Sequence, residues 1–197
     1  MAALVLCASG VGSALAGYFS IASALFVIAS ATVIYALNVF EPALQPAKTQ
    51  GVHPSFPLFV RLCYVWLLIA SGLSMWAARA DSSGGIWGAS RHALTVGFLA
   101  AMIFAIGSRV LPAFCGMRQL FSPRLMLAAC VTLNLGCLLR VSSEIPAYEG
   151  FWQGAWKVLP VSAVLELAAV TMFAANLALT LAQPPAHLKE TSRPVSA

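Results

Sequence analysis

Arg91-His-Ala-Leu-Thr-Val-Gly-Phe-Leu-Ala-Ala-Met-Ile-Phe-Ala-Ile-Gly-Ser-Arg109-Val-Leu-Pro112 decides how the chain is read. No Asp, Glu, Lys or Arg interrupts it between its two end arginines. At 1.5 Å per residue it is long enough to cross a hydrocarbon layer of about 30 Å. His92 stands in its first turn, where a histidine can sit at the edge of that layer and still face a helix bundle. Arg109 and Pro112 close it. Ala93, Gly97, Ala101 and Ala105 recur every four residues and form a small-residue seam for close helix contact. His92, Thr95, Leu99, Met102 and Ile106 form a neighbouring face.

Similar apolar runs lie on both sides of this stretch. The chain of 197 residues is 60% hydrophobic and only 9% charged, with a mean hydropathy of +0.88. Soluble domains carry about 25% charged residues. The runs are continuous rather than alternating, which favours helices over a barrel. The fold class is therefore all-α, a polytopic transmembrane bundle of five or six spans embedded in a lipid bilayer. The net charge of +5 lies between the apolar runs, so it reads as membrane orientation, not as nucleic-acid binding. No basic n-region precedes the first run, and no signal peptide is recognised. The five cysteines include no C-x-x-C and no C-x-x-C-H, so covalent haem attachment is not indicated.

Residues 1–182 read as one transmembrane domain, with spans at roughly 19–40, 57–78, 90–110, 123–141 and 158–182. An extra short span at 1–16 is expected if the chain breaks near Gly17-Tyr18. Pro57 suits a first helical turn, Ser90 an N-cap, and Ser122-Pro123 a cap followed by N1. Residues 142–157 hold Glu144, Tyr148, Trp152 and Trp156 and read as an interfacial segment with an aromatic belt. Residues 183–197 read as a disordered tail. Arg109, Arg118 and Arg124 face no acid in their connection, so that loop and the C-terminus are expected on the cytoplasmic side. His92 then lies near the outer face.

Few residues in the spans can carry chemistry. Glu166 reads as the only acid deep inside one, where a carboxylate costs a few kcal/mol unless it is paired or neutral. It suits proton handling, a cation site or an arginine partner; otherwise it is a hydrogen-bonded packing residue. Ser162, Phe173, Asn176 and Thr180 share its stripe. Neutral imidazole is a common haem and metal ligand, so His92 is the candidate metal ligand. Alternatively, it bonds a neighbouring backbone group. Arg91, Arg109 and Arg140 stand at span ends as charges that snorkel to the interface, or one of them, Arg91 or Arg109 foremost, pairs with the propionates of a cofactor. No P-loop, dinucleotide, hydrolase or zinc-protease motif occurs.

The run His92-Ala-Leu-Thr-Val-Gly97, followed by Met102, Arg109 and Gly116, resembles the NnrS family of bacterial membrane proteins. Phe59-Val-Arg61-Leu-Cys-Tyr64-Val-Trp66-Leu67 is similar to the family's preceding helix. The likeness covers roughly 56–182, the C-terminal half of a family member. It implies haem and/or copper as cofactor, His92 as a ligand, a role in nitric oxide tolerance or denitrification, and the bacterial inner membrane. The family's Gly-His-Thr-Gly-Arg is replaced by Ala113-Phe114-Cys115-Gly116-Met117-Arg118, so its second histidine is missing. Two other functions compete. One is a transporter with Glu166, Asn176, Ser162 and Asn134 along a polar pathway. The other is a structural subunit of a membrane redox complex, or one half of a homodimer.

Overall fold

The computed structural model describes residues 1–41, 51–117 and 120–183. The expected tail therefore lies almost wholly outside the described residues, as does Arg118. Among the described residues seven α-helices follow in order: α1 (Ala2–Leu15), α2 (Phe19–Ala36), α3 (Phe56–Ala80), α4 (Gly85–His92), α5 (Ala101–Phe114), α6 (Pro123–Tyr148) and α7 (Ala155–Leu181). A π-helical segment, Ala93–Ala100, joins α4 to α5 without a break. Five stretches are long and apolar enough to span a bilayer: α2, α3, the continuous run Gly85–Phe114, α6 and α7. The molecule is an all-α helical bundle whose apolar helices meet membrane lipid.

The core belongs to four of these stretches. The α3 helix packs along the run Gly85–Phe114, that run packs on α6, and α6 packs on α7. Phe59, Cys63, Phe104, Met126, Leu133 and Ala169 fill one half of the interior, and Trp66, Ala70, Ala89, Ala93, Cys137 and Val141 fill the other. The α1–α2 hairpin packs outside this bundle, α1 on α2 and α2 on α3. Its buried residues are small: Gly10 in α1, and Ser23, Ala29 and Ser30 in α2. Residues 1–36 thus fold back at Gly17, whose φ of 84° needs a glycine. The α1 helix is about 21 Å long by helical rise, shorter than a bilayer core.

The small-residue seam is the packed edge of the central run. Ala93 and Ala105 are fully buried, Ala101 is nearly so, and Gly97 lies against the Trp66 ring. A Cβ on Gly97 would stand 2.5 Å from that ring, so only glycine lets the two helices approach this closely. Positions four apart drift by about 40° per step on an α-helix. The wider π turn absorbs part of that drift and keeps the seam on one side. The neighbouring face turns outward: Thr95, Leu99 and Ile106 are exposed.

Several boundaries fall elsewhere than the residue signals suggest. Ser90 is no cap. It lies inside α4 and donates its hydroxyl to the Ala70 carbonyl at 3.0 Å. The exposed donors at the start of α4 instead go to Asp81, whose carboxylate accepts from Ser83, Gly84 and Trp87 backbone N–H groups at 3.2, 2.7 and 2.7 Å. Pro112 does not stop its helix, because in a last turn its missing N–H costs a single bond; α5 ends two residues later, and Gly116 turns the chain at φ 73°. Ser122 does cap α6, accepting from the Leu125 N–H at 3.1 Å. That helix runs on through residues 142–148 to Tyr148, so Glu144 belongs to a spanning helix and not to an interfacial loop.

Candidate functional site

Near the end of the bundle where α4 begins and α6 finishes, four ionisable side chains converge: His92 from α4, Arg140 and Glu144 from α6, and Glu166 from α7. His92 Nδ1 lies 3.0 Å from the Gly88 carbonyl oxygen one turn back. It also lies 2.9 Å from Glu144 Oε2. The hydrogen-bond geometry is met by Gly88; the carboxylate oxygen sits beside the same ring nitrogen without an aligned bond. A nitrogen flanked by two acceptors carries the proton, which fixes the tautomer and leaves Nε2 facing away from both. Arg140 Nε stands 3.6 Å from Glu144 Oε2, one turn earlier on α6. At that distance the pair attracts without a hydrogen bond.

Glu144 is only 5% exposed, so Glu166 is not the sole acid inside the spans. Each carboxylate is seated over a glycine on the facing helix. A Cβ on Gly88 would overlap Glu144 Oε1 and stand 2.8 Å from its Cδ. A Cβ on Gly136 would stand 2.9 Å from Glu166 Cγ and 3.2 Å from the Glu166 backbone nitrogen. Gly85 brings α4 equally close to α6, 2.8 Å separating its missing Cβ from that of Tyr148. The helices therefore approach closely where the acids sit, which buries Glu144 and half-buries Glu166.

Glu166 completes the cluster. It lies within electrostatic reach of His92, Arg140, Glu144 and Cys137. Its Oε1 is buried and has no hydrogen-bond partner. By helical rise, Glu144 is about 6 Å from the end of α6 and Glu166 about 16 Å from the start of α7. The acids thus step inward from one membrane face towards the middle. Cys137, fully buried, places its Sγ 3.8 Å from the His92 carbonyl.

The other candidate residues lie elsewhere. Arg109 is roughly 25 Å along the helix from His92 and rests over the Phe56 ring, 5.6 Å from its centroid. It shares no site with His92. Arg91 is exposed and faces the α1–α2 hairpin instead of α6. Asn134 accepts from Trp66 Nε1 at 2.8 Å and donates to the Cys130 carbonyl at 2.8 Å. Ser162 donates to the Leu159 carbonyl at 2.7 Å. Asn176 and Thr180 hold the connection into α6: Asn176 pairs with both backbone groups of Ser122, at 3.0 and 2.9 Å, and Thr180 accepts from the Phe121 N–H at 2.9 Å. Asn134, Asn176 and Thr180 thus join helices, whereas Ser162 bonds within α7, one turn from Glu166. Arg140 was weighed from sequence only as a span-end arginine, and Glu144, Gly88 and Gly136 were not singled out as site residues. The signal for the first two was the Arg140-x-x-x-Glu144 spacing, which puts opposite charges on one helix face.

The sequence matches, over residues 1–181, the family described as a domain of unknown function, DUF8744, and the chain belongs to that family. No curated protein and no solved structure matches it.

Proposed function

We propose that this DUF8744 member is an NnrS-like membrane protein that presents His92 to a haem and/or copper centre in nitric oxide tolerance or denitrification. The observation that carries the reading is the way His92 is held. Its Nδ1 is engaged from behind by the Gly88 carbonyl and the Glu144 carboxylate, at 3.0 and 2.9 Å. Metal-binding histidines are oriented in this manner by a carboxylate or carbonyl on the far nitrogen, which also raises ligand basicity. A single imidazole can ligate a haem iron, and His92 would be the residue that holds it. A copper site closed by this chain alone fits less well, because no group of three His, Cys, Asp or Glu ligands occurs among the described residues. A bound haem iron would supply the coordination position at which nitric oxide binds.

The chain's own residues would divide the work. Glu144 orients the His92 ring, and Arg140 stands 3.6 Å from Glu144 Oε2 as its opposite charge. Glu166, with Oε1 unpartnered, is the group free to take up or release a proton. The same reading puts the chain in the bacterial inner membrane with its C-terminus cytoplasmic. There it works as a homodimer or beside other subunits of a redox complex, which would supply any further ligand. Visible spectra of the purified protein, oxidised and reduced, test this. A Soret band that is lost in His92→Ala and shifted in Glu144→Gln is the expected result. A colourless wild-type protein purified from haem-replete cells overturns the haem reading.

A second reading draws on the orphaned Glu166 oxygen alone: a transporter in which the Glu144–Glu166 steps carry a proton or cation inward. It expects Glu166→Gln to abolish proton-coupled flux in proteoliposomes while the bundle still assembles. Unchanged flux removes it.

A further inference from the structure

Between the α1–α2 hairpin and the α3–α4 pair runs an open groove of about 720 Å³. It is separate from the ionisable cluster, which lies on the α6 side of α4. Its wall is almost wholly apolar: Val11 and Ala14 on α1, Phe26 on α2, and Trp87 and Leu94 on the central run. The exception is a polar tier. Ser74 on α3 and Arg91 on α4 both line the groove. Each stands about 9 Å by helical rise from the turn that joins α3 to α4, so they lie at one level.

Among the described residues, nothing occupies these groups. Ser23 and Ser90 line the same tier, but their hydroxyls go to the Ser20 and Ala70 carbonyls at 3.1 and 3.0 Å. The Ser74 hydroxyl, which lines the groove, makes no such bond among the described residues. Arg91 is the only charged residue of the lining and has no acidic neighbour in it. A guanidinium on a long stem reaches towards the headgroup level. There it matches a phosphate oxygen with two N–H groups. Below it, Leu94, Phe26 and the α1 wall continue as an apolar channel deeper into the membrane.

We infer that this groove binds an anionic phospholipid, with its phosphate on Arg91 and Ser74 and an acyl chain against Phe26 and Leu94. The lipid then fills the space between the hairpin and the bundle and fastens α1–α2 to the other helices. The single positive charge, with no acid opposing it, selects a net-negative headgroup over a zwitterionic one. A basic residue near the membrane surface is worth about 1 kcal/mol towards anionic lipid, roughly a fivefold preference.

Native mass spectrometry of the detergent-solubilised protein tests this, with phosphatidylglycerol and phosphatidylcholine titrated in parallel. The wild type should retain phosphatidylglycerol about fivefold more strongly. Arg91→Gln should bring the two lipids to parity, and Arg91→Lys should restore part of the preference. Arg79→Gln, outside the groove lining, should leave the preference intact. Ala14→Trp, which fills the groove from α1 and leaves the bundle untouched, should remove the tightly bound copy of either lipid. Equal retention by the wild type overturns the assignment. So does a preference that survives both Arg91→Gln and Ala14→Trp.

Discussion

The two ends of the bundle use polar residues in opposite ways. At the end where α6 begins, Asn176 and Thr180 make four neutral hydrogen bonds, to Ser122, Phe121 and the Asn176 carbonyl, at 2.6 to 3.0 Å. At the other end, His92, Arg140, Glu144 and Glu166 bring charge together, and Arg140 Nε, Glu144 Oε2 and Glu166 Oε1 are left without hydrogen-bond partners. The first arrangement satisfies buried backbone and adds stability. The second leaves buried charge incompletely compensated, which costs stability, and such groups in membranes mark function. A bundle built only for packing would place Leu or Ala at those positions.

This contrast can be broken from either side. The largest effect should come from Gly88→Val, which drives Glu144 out of its seat and separates α4 from α6. It should lower the unfolding midpoint in a thermal scan and abolish the His92-dependent Soret band that the proposed haem reading expects. Asn176→Ala leaves the Ser122 N–H unpaired, while its carbonyl keeps the Met126 N–H at 3.2 Å, and should destabilise by about 1–3 kcal/mol without altering any His92 readout. Gly97→Ala overpacks the Trp66 contact and should cost about 1–3 kcal/mol by the same assay. Arg109→Gln removes a cation resting on Phe56 and should cost at most about 1 kcal/mol, with no change in any His92 readout. A spectral change in Asn176→Ala or Arg109→Gln would show that the two ends are not separate.

How much of this was readable in the residues follows from which forces act locally. Continuous apolar runs dictate spanning helices, because lipid leaves the backbone no other way to satisfy itself. The seam from Ala93 to Ala105 was legible because small residues four apart have one main use in a membrane helix. His92 and Glu166 stood out as rare polar groups in apolar surroundings. Glu144 did not, because Pro146 and the aromatic residues after it resemble the interface. Only the packing of α6 on α4 shows that the helix continues past them. Gly88 and Gly136 were silent for a similar reason. A glycine's role as a seat depends on what faces it, and that partner lies on another helix. Arg109 was read with His92 because both lie on one helix, yet its length keeps them roughly 25 Å apart.

The most direct test of the account compares unfolding midpoints in one detergent for the wild type, Glu166→Gln and Asn176→Ala. If the ionisable end serves function at the expense of stability, Glu166→Gln keeps or raises the midpoint while Asn176→Ala lowers it by several degrees. A drop in Glu166→Gln as large as that in Asn176→Ala would contradict the account and make Glu166 a structural residue like the rest.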